Sequence, residues 1–149
     1  MPVTIQDVVN QLDREEPDYT QAARLGPEAL PFVRQLIQGD NVALASKAAF
    51  LAGQISGEGT LQVLEIASRH PDPVVRVAAA ASAKNFTGLS TTLANTFLND
   101  ADAGVRTWGL RTLEVVQPEG VRPSVERIMK DDPDPVLRER ARKVIDRLK

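Results

Sequence analysis

Three arginines recur along the chain, Arg76, Arg106 and Arg138, at steps of 30 and 32 residues. Each stands four residues after an aspartate: Asp72, Asp102 and Asp134. A guanidinium presents a planar fork of N–H donors that fits a carboxylate or a phosphate. Two chemistries are therefore open: a stripe of arginines that reads an anion, or charges that stabilise a stack of repeated units. The second is favoured, because an acid accompanies every arginine and recurring polar sites in repeats generally serve the stack.

A separate set of side chains suggests contact with a partner. Trp108 is the sole tryptophan, and Arg111 follows one helical turn later. The aligned positions elsewhere hold Ser46, Ala78 and Arg140, so a large aromatic here fits an exposed interface residue. It equally fits a side chain filling the room left beside Gly109. Arg140 and Lys143 would extend a small basic patch from Arg111, and Lys47 and Lys84 lie on the corresponding earlier segments. The partner-binding candidates are thus Trp108, Arg111, Lys47, Lys84, Arg140 and Lys143.

No residue set nominates a catalytic or metal centre, and no cofactor is expected. Cysteine is absent and His70 is the one histidine, which leaves no zinc site of the usual kind. His70 precedes Pro71 in a turn, as an exposed loop residue without a triad partner. The acidic pairs Glu15-Glu16 and Asp131-Asp132 fall in loops or helix starts, where solvation accounts for them. Gly57-Glu-Gly59 reads as a turn and not as a phosphate cradle.

The elements that carry these residues announce themselves by a period. Asp72-Pro-Val-Val-Arg76, Asp102-Ala-Gly-Val-Arg106 and Asp134-Pro-Val-Leu-Arg138 each open a helical stretch, and Asp40-Asn-Val-Ala-Leu44 is a degenerate copy in which leucine replaces arginine. A second motif recurs beside the first: Val33-x-x-Leu36-Ile37, Val63-x-x-Ile66-Ala67, Ala94-x-x-Phe97-Leu98 and Val125-x-x-Ile128-Met129. Its i, i+3, i+4 spacing is one face of an amphipathic helix. The repeating unit is helix A, tight turn, helix B. The aspartates suit N-caps, with Pro73 and Pro135 at the first helical position. The spacing predicts A helices over 27–38, 58–69, 88–99 and 119–130, and B helices over 41–55, 73–84, 103–116 and 135–148. A shorter pair over 4–13 and 18–25 precedes them. The B helices are expected to bury Val75, Ala79 and Ala83, then Val105, Gly109 and Leu113, then Leu137, Ala141 and Ile145. Residues 1–149 form one repeat domain, with a short capping repeat over 1–26 and repeats over 27–56, 57–86, 87–117 and 118–149.

These motifs resemble HEAT-type repeats, and the compact Asp-Pro-x-Val-Arg phrase is most similar to the short HEAT-like subgroup that includes phycobilisome-lyase-type repeats. The resemblance covers nearly the whole chain and implies an all-α, right-handed α-solenoid (an alpha–alpha superhelix) of about five helix pairs, with the B helices on the concave face. It further implies a polar ladder in which Asp72, Asp102 and Asp134 pair with Arg76, Arg106 and Arg138 within or between repeats, interrupted at Leu44. Such repeats serve scaffolds, transport factors, lyase subunits and repair enzymes alike.

Composition narrows the partner. Aromatics make up 4% of the 149 residues and the formal net charge is −2, which disfavours nucleic acid and acidic membranes. No apolar run reaches the ~20 residues that span a bilayer, and the N-terminus lacks a signal peptide's pattern, so a cytoplasmic location is expected. Residues 1–20 carry five acids and one arginine, whereas 135–149 carry six bases and two acids. Solvated end caps and head-to-tail association both fit that asymmetry, giving a monomer or weak self-association. The expected function is a non-catalytic protein-interaction scaffold binding along the B-helix face. A bilin-lyase subunit or chaperone, suggested by the repeat subtype, and nucleic-acid binding are the alternatives.

Overall fold

The computed structural model describes residues 2–148 and is all-helical over them, with no strand. Met1 and Lys149, which the 1–149 domain includes, lie outside the described residues. Ten α-helices follow in order: α1 (Ile5–Leu12), α2 (Tyr19–Ala23), α3 (Leu30–Ile37), α4 (Val42–Ala52), α5 (Thr60–Ser68), α6 (Pro73–Ser82), α7 (Thr91–Leu98), α8 (Ala103–Leu113), α9 (Arg122–Asp131) and α10 (Pro135–Arg147). Short 3-10 turns lead into α3 at Pro27–Ala29 and extend α6 at Ala83–Asn85.

Caps set these boundaries. Asp72, Asp102 and Asp134 accept from Val74, Val105 and Val136 N–H, so each begins its helix as the sequence suggests. Thr4 and Asp7 close a reciprocal capping box on α1. Ser90 caps α7, which therefore starts at Thr91 and not at residue 88. In the degenerate copy the cap is Asn41, whose carboxamide accepts from Leu44 N–H. Asp40 is exposed and plays no part, so the repeat phrase is offset there by one residue.

Consecutive helices touch as pairs: α1 with α2, α3 with α4, α5 with α6, α7 with α8, α9 with α10. Neighbouring pairs meet through like helices. α4, α6, α8 and α10 contact one another in succession, as do α3, α5, α7 and α9. Small residues allow the close approach. A Cβ added to Gly109 would come within 3.2 Å of Phe97 on α7, and one added to Gly53 would meet the Ser82 hydroxyl at 2.2 Å. Expected core positions are buried in α6 and α8. In α10 the third one falls on Val144, with Ile145 only half-buried.

Arginine–carboxylate contacts do join the pairs, but through different aspartates from those expected. Arg76 donates through Nε and Nη2 to Asp100 (2.9 and 3.2 Å), and Arg106 likewise to Asp132 (2.8 and 3.3 Å). Asp72, Asp102 and Asp134 are occupied as caps; the ladder acceptor stands two residues earlier, in the next pair. Asp132 is 7% exposed and not a solvated loop acid. Each acceptor does double duty, because Asp100 and Asp132 also accept from the N–H of Asp102 and Asp134. His70 takes that place in its turn: its Nδ1 accepts from Asp72 N–H, and its carbonyl accepts from Arg76. It is half-buried and structural, not an exposed loop residue. No cation stands in the first turn of α4 to pair with it, so this seam has no ionic rung. A hydroxyl serves there instead. Ser82 donates to the Phe50 carbonyl and accepts from Gly53 N–H, both at 2.7 Å, and Thr112 repeats the first contact with the Ala80 carbonyl at 2.9 Å.

Separating the two aspartate roles gives a direct check. Asp132→Ala leaves a largely buried guanidinium unpaired and should cost about 3 kcal/mol. Asp134→Ala removes a cap and should cost about 1 kcal/mol. Urea denaturation of both variants should give that order; equal losses would return the cap aspartate to the ladder.

Candidate functional site

Along the even-numbered helices the small core residues draw the backbones close and leave larger side chains at the surface. A depression of about 350 Å³ lies there, lined by Tyr19, Ser46, Lys47, Phe50, Val74, Val77, Ala78, Ala81 and Trp108 from α2, α4, α6 and α8. The chain holds four Phe, one Tyr and one Trp. Three of these six aromatics converge here, with Tyr19 edge-on to Phe50 at 4.7 Å between ring centroids. Burial raises the Tyr19 phenol above its usual pKa. Val74, 55% exposed, forms part of the apolar rim.

Trp108 is half-buried and packs against the core, while its ring carries two cations. Lys84 Nζ lies 5.4 Å and the Arg111 guanidinium carbon 4.7 Å from the ring centroid, within cation–π range. The room beside Gly109 belongs to Phe97 and Leu98, so Trp108 does not fill it. Neither Lys84 nor Arg111 forms an ion pair among the described residues.

The remaining candidates divide. Lys47 lines the depression, with its ammonium donating to the Arg14 carbonyl at 2.6 Å. Arg140 and Lys143 lie apart from Trp108, in a second depression of about 520 Å³ with Glu114, Pro135, Val136, Glu139 and Arg147. Arg140 sits 3.7 Å from Glu114. The Arg142 hydrogen bond holds the Glu139 carboxyl below its usual pKa, so it stays charged beside these bases. The continuous basic patch from Arg111 to Lys143 is thus interrupted by acids. Tyr19, Phe50, Val74, Val77 and Ala81 escaped the sequence reading. The scarcity of aromatics was the available signal, since Tyr19 and Phe50 are rare residues with no repeat role.

Among the described residues no three His, Asp or Glu side chains converge to hold a metal ion, and no helix is long and apolar enough to cross a membrane. A scan of protein-family models and a search of curated proteins find no match to this chain.

The lone tryptophan makes this geometry measurable. Iodide should quench its fluorescence more efficiently than caesium, because two cations gather anions at the ring. In the Lys84→Glu, Arg111→Glu variant that preference should reverse. Equal quenching of the wild type by both ions would mean that the cations do not govern access to Trp108.

Proposed function

We propose that the helix pairs form a right-handed α-solenoid of five HEAT-like repeats, and that the protein is a non-catalytic interaction module. Its partner segment lies across α4, α6 and α8. The two motifs recurring in step, and the chain of contacts between like helices, support the solenoid. One observation carries the function: an aromatic-lined depression crossing successive helices, edged by Lys47, Lys84 and Arg111, with no acid in its lining.

That arrangement favours a partner combining a large apolar side chain with nearby carboxylates. Tyr19, Phe50 and Trp108 supply rigid contact area at low entropic cost. Lys84 and Arg111 share one ring, and a carboxylate placed between them would relieve their mutual repulsion while gaining charge-assisted hydrogen bonds. Two of the polar groups that line the depression are already engaged. The Ser46 hydroxyl donates to the Ala43 carbonyl and the Lys47 ammonium to that of Arg14, which suits a binding face better than a reaction centre.

A short Glu- and Leu-rich peptide without aromatic residues is the probe. It should shift Trp108 emission saturably, with affinity falling as salt rises. Trp108→Ala should weaken binding by roughly 2 kcal/mol in calorimetry. A Lys- and Leu-rich peptide binding equally well, or affinity indifferent to Trp108, would contradict the proposal.

A further inference from the structure

The stack carries one more ladder arginine than the described residues have carboxylates to receive. Arg138 opens α10 and donates through Nη1 to the Asp132 carbonyl at 2.6 Å. Arg76 and Arg106 do the same at the His70 and Asp100 carbonyls, at 2.8 and 2.9 Å. The guanidinium of Arg138 is therefore anchored by one of the two turn carbonyls that hold it in the complete rungs. Its Nε and Nη2, the groups that grip a carboxylate in both of those rungs, have no hydrogen-bond partner among the described residues.

The complementary half-rung lies at the opposite end. Asp100 and Asp132 each stand two residues before a cap aspartate, in Asp100-Ala-Asp102 and Asp132-Pro-Asp134. Glu16-Pro-Asp18 has the same spacing ahead of α2, and Asp18 caps that helix by accepting from Gln21 N–H. Glu16 is exposed, and no arginine among the described residues reaches it.

We propose that these half-rungs meet between copies of the chain, with Arg138 of one molecule gripping Glu16 of the next. The surrounding charge is complementary. Five acids and one base occupy residues 1–20, and six bases and two acids occupy 135–149. Opposite fields steer the two ends together and reject like ends. The contact joins different surfaces, so it propagates as a head-to-tail chain and not as a closed dimer. It rests on one bidentate pair, and is therefore weak and salt-sensitive.

Sedimentation velocity over a dilution series in low salt reads this directly. The wild type should show a mean mass above 16.2 kDa that rises with concentration and does not level off at a dimer. Arg138→Ala and Glu16→Ala should each lower the association constant roughly tenfold. An equimolar mixture of the two variants should be dominated by a 1:1 dimer at concentrations where the wild type forms longer chains, because each variant keeps only one intact end. A wild type that remains a 16.2 kDa species at its highest soluble concentration would overturn the proposal, as would variants that associate like it.

Discussion

One carboxylate position sets how the last three helix pairs meet. Asp132 accepts from the backbone N–H of Asp134 just ahead of α10, and from two guanidinium nitrogens of Arg106 at the start of α8. The same guanidinium donates to the Asp100 and Ala101 carbonyls of its own turn. Turn geometry, helix start and seam are thus fixed by a single cluster. With side-chain exposures of 12% and 3%, the pair is shielded from water and salt in a way that surface ion pairs are not. The Arg76–Asp100 rung repeats the arrangement one seam earlier.

At the far end of the helices a second device takes over. Ser82 and Thr112 hydroxyls donate to carbonyls of the preceding even-numbered helix, so the α6–α8 seam is held by both a rung and a hydroxyl. The α4–α6 seam has the hydroxyl with His70 in place of the carboxylate. The α8–α10 seam has the rung, with apolar Val144 beyond it. The depression at Trp108 lies over α4, α6 and α8, across the two seams where the hydroxyl contacts bring the helices close, and Gly53 and Gly109 are small because side chains from neighbouring helices occupy their space.

The period and the caps were legible in the sequence because both follow from local chemistry. An aspartate before a proline can begin a helix wherever it occurs, and the i, i+3, i+4 pattern needs only one buried face. Asp100 and Asp132 were not legible as ladder acceptors. Their role depends on which pair faces the preceding arginine, and that is a tertiary fact. Asn41 caps α4 in place of Asp40, and because either residue type can cap, the sequence alone did not choose between them. For the site, Trp108, Lys84 and Arg111 were marked by rarity and spacing and do come together. Arg140 and Lys143 share their charge but not their place, since Glu114 and Glu139 stand among them. Tyr19 and Phe50 meet from helices far apart in the chain, which no single repeat discloses.

Ionic rungs, and not apolar burial alone, hold the α6–α8 and α8–α10 seams in register. A double-mutant cycle on the α6–α8 rung tests this most directly, combining Arg76→Ala and Asp100→Ala with Trp108 emission recorded alongside unfolding. A coupling energy of at least about 1 kcal/mol, with emission altered in each single variant, is the predicted result. Additive losses within about 0.3 kcal/mol and an unchanged tryptophan would contradict it.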